Sequence, residues 1–236
     1  MRRLARFALT LLMATGIQGL AARAGSEPGG PPRDPNPSSP FAAGQWLVGT
    51  TVGYAWPFQL YDGTSDVEDS EFVAILPRAG LGLTDPLGGD SWYRGNVELG
   101  MEGHFLIQTQ PHSGSAYGAA FLGRYNLLAL EAHGVVPFVE LGAGLVSLDF
   151  DLQRRADGAN FILEGGAGLH WFIWRRTALT AQWRYHHISN GRIEDPNVGV
   201  DSGLALVGFT VALGPAPGEL RDESASRAAT NPRHSQ

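Results

Sequence analysis

The 236-residue chain contains no cysteine and no lysine. Without cysteine there can be no disulfide framework, no thiolate metal site and no thiol nucleophile. All 17 basic residues are arginine. No run of 18 consecutive apolar residues follows the N-terminal segment, so a helical membrane protein is not expected. The mean hydropathy of −0.09 suits a soluble protein. It equally suits a membrane β-barrel, which needs an apolar residue only at every second position.

What is present begins with a leader. Arg2, Arg3 and Arg6 precede the apolar stretch Phe7 to Ile17, and Ala22–Arg23–Ala24 fits a small-x-small cleavage site. Residues 1–24 therefore read as a secretory signal peptide. Removing it takes away four of the 17 basic residues and none of the 23 acidic ones, leaving a formal charge of −10. That charge argues against a nucleic-acid partner. Residues 25–43, rich in Pro, Gly and Ser, read as a flexible linker, and residues 214–236 as a disordered polar tail.

Residues 44–213 carry a recurrent period of two. Tyr93, Val97, Leu99, Met101, Phe105 and Ile107 alternate with Arg94, Asn96, Glu98, Glu102 and His104. Such alternation gives a strand one apolar and one polar face. The same pattern places Tyr117, Phe121, Tyr125 and Leu127 opposite Arg124 and Asn126. It places Phe161, Leu163, Leu169 and Trp171 opposite Glu164 and His170, and Leu179, Ala181, Trp183 and Tyr185 opposite Gln182 and Arg184. With the segments from Trp46, Phe72, Pro137 and Val200, eight strands follow, and no helical period separates them. The expected fold is all-β: an eight-stranded antiparallel transmembrane β-barrel.

A soluble lipocalin-like barrel is the alternative, and it would turn the apolar face inward. Here the polar face bears charged residues on most strands, and the apolar face is too bulky for so narrow a lumen. An outer-membrane barrel explains both, with aromatic and aliphatic residues toward lipid and a paired charged network inside. Trp46, Trp56, Trp92, Tyr93, Trp171 and Trp183 suit interfacial girdles. Periplasmic termini put external loops near 57–71, 108–116, 147–160 and 190–199, and periplasmic turns near 84–91, 128–136 and 173–177. The expected location is the outer membrane of a Gram-negative bacterium.

Parity then singles out one constellation. His187 and Ser189 continue the lipid-facing series of Ala181, Trp183 and Tyr185. On the last strand, the series Val211, Phe209, Val207 and Ala205 runs back through Gly203 to Asp201. Ionisable groups on that face are costly and need a reason. Residues two apart on a strand are roughly 6.5–7 Å apart, within reach of an imidazole leaning along it. An opposed residue on the next strand stands about 5 Å away at Cβ. Ser189 as nucleophile, His187 as base and Asp201 as orienting acid follow the logic of serine hydrolases. Asn190, Gly191 and Asn197 lie in the connecting loop, where their amides are candidate oxyanion donors or supports. An ester is the expected target, because acyl esters sit at this depth.

The stretch "HISNGRIEDPNVGVD" resembles the signature of the lipid A 3-O-deacylase (PagL) family, His-x-Ser-Asn followed by Pro-Asn-x-Gly-x-Glu. His187, Ser189, Asn190, Pro196, Asn197 and Gly199 match in order and spacing; Asp201 stands where the pattern has Glu. The resemblance implies an eight-stranded barrel that releases an ester-linked hydroxy fatty acid from lipid A, at the 3-position, with Ser189 as nucleophile, His187 as base and residue 201 as acid. It implies lipopolysaccharide as partner and neither metal nor other cofactor. Monomer and homodimer both stay open. A non-catalytic structural barrel is the alternative function.

Other polar residues have plainer readings. His186 points inward by parity and is expected to hydrogen-bond in the lumen, where Glu98, Glu102, His104, Glu140, Glu164 and His170 pack. The adjacent His186–His187 pair is a poor metal site, because neighbours on a strand diverge. Arg154, Arg155 and Arg192 either meet lipid A phosphates or are solvated loop charges. The acidic stretch 62–71 either holds divalent cations or is simply solvated. Glu194 or Asp195 would replace Asp201 only if the loop folded back.

Overall fold

In a computed structural model, the described residues are 39–58, 70–150, 158–193 and 199–213. The alternating segments form eight strands: β1 (Trp46–Pro57), β2 (Glu71–Gly82), β3 (Gly95–Gln110), β4 (Gly114–Leu127), β5 (Val135–Asp149), β6 (Gly158–Phe172), β7 (Thr177–Ser189) and β8 (Val200–Leu213). Each strand pairs antiparallel with the next, and β1 pairs with β8 from Trp46↔Leu213 to Pro57↔Ser202, closing the barrel. Closure leaves no strand edge with open backbone groups, which a bilayer would penalise. A short 3-10 helix, Leu128–His133, joins β4 to β5.

The two faces divide as the period of two requires. Leu99, Met101, Phe105, Ile107, Tyr117, Phe121, Leu141, Leu163, Val207 and Phe209 are exposed on the outer surface. At the alternate positions, Glu98, Glu102, His104, Arg124, Glu140, Glu164 and Arg184 are buried in the lumen. Trp46, Trp92, Tyr93, Trp171 and Trp174 are exposed around the end that bears the barrel's first and last residues.

The lumen is layered. Its middle is ionic: Arg184 donates to Glu102, Glu140 and Glu164, with distances from 2.5 to 3.0 Å. Glu140 also accepts from Arg124 at 2.8 Å and from Arg78 at 3.2 Å. Arg124 lies over the Phe138 ring, 3.8 Å from its centroid. Toward the far end, Phe72, Leu76, Leu106, Ile162, Ile188 and Leu204 form an apolar layer that fills the barrel. At the near end a second apolar layer gathers Phe41, Leu47, Leu128, Val136 and Ala212. The sequence pattern assigns the inner face to polar groups alone; these inward aliphatic and aromatic residues amend it, because a narrow lumen excludes water and must be filled.

Residues 39–43, which composition places in the linker, line the near mouth instead. Phe41 is 1% exposed and meets Phe172 edge-on at 5.8 Å. Ser39 Oγ donates to Glu131 at 2.6 Å and accepts from the Phe41 amide at 3.2 Å. Strands also run further than expected at the second far-end hairpin: β3 reaches Gln110 and β4 starts at Gly114, leaving Pro111–Ser113 in place of the expected 108–116. The leader, residues 25–38, the tail, Arg154, Arg155 and most of the acidic stretch 62–71 lie outside the described residues.

Glu140 is the shared acceptor of three arginines, so removing it strands buried cations. Breaking a buried pair in this way costs about 3–5 kcal/mol. Glu140→Ala is expected to lower unfolding stability by that amount in urea titrations of the barrel refolded in detergent. A change within experimental error would show that the network carries no such weight.

Candidate active site

The site sits where β7 ends and β8 begins. Across that pair the register is Tyr185↔Gly203, His187↔Asp201 and Ile188↔Val200. His187 and Asp201 are thus directly opposed, with side chains on the outer face. Nδ1 of His187 stands 2.5 Å from Asp201 Oδ1, and Nε2 stands 3.0 Å from Ser189 Oγ. One imidazole bridges a carboxylate and a hydroxyl through opposite ring nitrogens. In the neutral ring, donation from Nδ1 to the carboxylate leaves Nε2 free to accept the serine proton. The His187 side chain is 30% exposed and that of Asp201 11%. The ring is accessible from the lipid side, and the acid is shielded behind it.

Asp201 is held from several directions. Its backbone carbonyl accepts from the Phe58 amide at 3.1 Å. Tyr185, two residues before His187 on the same face, stands close enough to the Asp201 carboxylate to interact with it electrostatically. The Phe58 ring packs edge-on against Trp183 at 5.5 Å and Tyr185 at 6.4 Å. Tyr185 was not among the residues picked out from the sequence, though the signal was there: it shares the odd parity of His187 and precedes it by two.

Glycine clears room for the ring. A Cβ on Gly199 would lie 3.2 Å from His187 Cε1. At the hairpin, Gly191 and Arg192 both have φ of 64°, and the Ile193 amide donates to the Asn190 carbonyl at 3.3 Å. Positive φ at both central positions is the signature of a type I′ turn. Asn190 is buried, on the lumen parity of β7, and its Oδ1 accepts from the Arg192 amide at 2.9 Å. Its side-chain oxygen therefore braces the turn. Asn197, Glu194 and Asp195 lie outside the described residues.

His186 points inward as parity requires, but neither of its ring nitrogens has a hydrogen-bond partner among the described residues. Among these residues the expected lumen hydrogen bond is not made.

A sequence profile described as Lipid A 3-O-deacylase (PagL) matches residues 78–210, more than half of the chain. The chain belongs to the lipid A 3-O-deacylase family. The match runs from β2 to β8 and so includes His187, Ser189 and Asp201. This PagL-family barrel is an outer-membrane protein of a Gram-negative bacterium. No curated protein matches it in sequence. Among solved structures it is similar to Neisserial surface protein A, with 14% identity and a TM-score of 0.49 over 70% of this chain and 96% of that one. It is similar to the outer membrane enzyme PagL, with 18% identity and a TM-score of 0.43 over 71% and 99%. It is also similar to OprG from Pseudomonas aeruginosa, with 12% identity and a TM-score of 0.45 over 74% and 98%.

Within the PagL motif, Asp201 is the departure from Glu. The shorter side chain still reaches the imidazole, because direct pairing with His187 leaves little distance to span.

Gly199→Ala is expected to push the His187 ring by a few tenths of an ångström. Misplacement by 1 Å costs roughly 100-fold in rate. The variant should therefore lose activity several-fold while keeping wild-type heat-modifiable mobility on SDS gels. Unchanged turnover would show that the ring does not depend on this clearance.

Proposed function

We propose that the protein is a serine esterase that removes an ester-linked hydroxyacyl chain from lipid A, at the 3-position, with Ser189, His187 and Asp201 as its catalytic groups. The observation that carries the reading is the bridging of Ser189 and Asp201 by the two nitrogens of His187, on the outer face of the barrel. Membership of the lipid A 3-O-deacylase family supplies the substrate class.

The proposed steps use the three groups as they are arranged. Ser189 Oγ attacks the ester carbonyl carbon as Nε2 of His187 takes its proton. Asp201 stabilises the imidazolium through Nδ1–H. The tetrahedral intermediate collapses, the C–O bond to the sugar breaks, and His187 protonates the departing sugar oxygen. Water, deprotonated by His187, then attacks the acyl-serine ester. The hydroxy fatty acid leaves and Ser189 recovers its proton. Neither half-reaction needs an oxidant or co-substrate other than water.

The acyl chain lies along the outer wall below Ser189. Phe161 and Leu163 of β6 are paired with Ser189 and His187 and are exposed there. Trp183, Tyr185 and Phe58 continue the apolar surface on the other side. The backbone amides of the Asn190–Gly191 turn are the proposed oxyanion donors, with Asn197 of the same loop contributing from its place in the sequence. Arg192, at the hairpin tip, is the proposed partner of a lipid A phosphate.

Lipid A from cells producing the wild type should lack one hydroxyacyl group by mass spectrometry, and lipid A from cells producing Ser189→Ala should retain it. With purified protein, Asp201→Asn should lower kcat by about 10⁴-fold, the cost of losing the correct imidazole tautomer in a serine hydrolase. Identical acylation in wild type and Ser189→Ala would instead favour a structural barrel.

A further inference from the structure

We propose that His104, Glu164 and His186 bind a divalent transition metal, of which zinc is the type, inside the barrel directly behind the esterase site. The three side chains come from β3, β6 and β7, and their ligand atoms lie within 4.8 Å of one another. Glu164 and His186 are paired across β6 and β7, and His104 reaches them from across the lumen. Two imidazoles and a carboxylate form a donor set suited to zinc and its neighbours.

Three observations point to a ligand here. First, the residues are buried, and among the described residues all four ring nitrogens and Glu164 Oε1 lack hydrogen-bond partners. Buried polar groups are otherwise satisfied, so these atoms, of which one from each residue lies within 4.8 Å of the others, call for an explanation. Carboxylate oxygens of Glu102 and Glu164 stand 3.5 and 3.6 Å from His104 Nε2, too far to satisfy it. Second, the charges do not balance. Among the described residues of the ionic layer, the carboxylates of Glu98, Glu102, Glu140 and Glu164 face the guanidinium groups of Arg78, Arg124 and Arg184, one arginine fewer than the carboxylates. Third, Glu164 is already oriented. Arg184 donates to its Oε2 at 2.9 Å, which leaves Oε1 toward the histidines. Support of this kind is usual around a metal ligand.

The setting gives the metal a structural role. The Phe72 ring lies 6.0 Å from that of His186, and the apolar layer of Leu106, Ile162 and Ile188 separates the cluster from the far end. An ion there would be captured as the barrel closes and would exchange slowly. His186 and His187 are adjacent on β7 with side chains on opposite faces. The ion would tie β7 to β3 and β6 just behind the catalytic imidazole, and its coordination sphere would not reach the acyl ester.

The test is to refold the full chain in chelator-treated detergent with and without one equivalent of Zn²⁺, then remove free ion and measure bound metal by elemental mass spectrometry. The proposal expects one zinc per barrel, retained through chelator washes and released on unfolding. Double replacement of His104 and His186 by Gln should abolish retention while the heat-modifiable fold persists. If that variant does not fold, the zinc X-ray absorption spectrum of the wild type decides, with imidazole scattering from two histidines expected. Sub-stoichiometric zinc in the folded wild type, equal retention by a folded double variant, or a spectrum without imidazole scattering would each overturn it.

Discussion

A barrel wall is one residue thick, so each residue of a strand must face either the lumen or the membrane. Everything else in this protein depends on that constraint. In β7, odd positions lead from Trp183 through Tyr185 and His187 to Ser189 on the outside, while even positions carry Arg184, His186 and Ile188 inside. A slip of one residue would turn the serine and its imidazole into the ionic core and put Arg184 into lipid. The closed hydrogen-bond ladder, fixed on both sides of β7 by β6 and β8, is what prevents the slip.

The lumen meets the same constraint from the other side. Eight strands leave space for side chains alone, and the charges that occupy it must satisfy each other. Glu140 does so for three arginines, and Arg184 for three carboxylates. Apolar layers at both ends keep this centre dry, which strengthens each pairing and makes any unmatched group costly. The outer site benefits from the rigid wall behind it: His187, Asp201 and Ser189 are held by strand register, with the Gly199 clearance and the Phe58 amide fixing the details.

Much of this was legible in the residues because a period of two needs no knowledge of partners. The alternation around Glu98, Leu99, Met101 and Glu102 gives face and fold together, and counting by twos places His187, Ser189 and Asp201 on one side. Contacts across the lumen were not legible. Whether His104 meets His186 depends on the stagger between β3 and β7, which accumulates around the barrel and leaves no local trace. The apolar lumen layers share inward parity with charged residues, so Phe72 and Leu106 do not announce a core. Residues 39–43 read as linker because Phe41 is a lone aromatic in a Pro-rich setting; only the cavity formed by Leu47, Leu128 and Val136 gives it a place. That the side-chain oxygen of Asn190 also braces the turn is not visible in the sequence, because it depends on the backbone conformation of Gly191 and Arg192.

The central claim is that Ser189 is a nucleophile opening onto the acyl chains, and covalent trapping tests it most directly. The chain has no lysine, and trypsin cutting at Arg184 and Arg192 isolates a peptide in which Ser189 is the sole serine. After treatment of the folded barrel with a long-chain alkyl fluorophosphonate, that peptide should carry the phosphonyl group on Ser189, and the His187→Ala variant should stay unmodified. An unmodified Ser189 in a protein that nonetheless deacylates lipid A, or a label equally present without His187, would contradict the account.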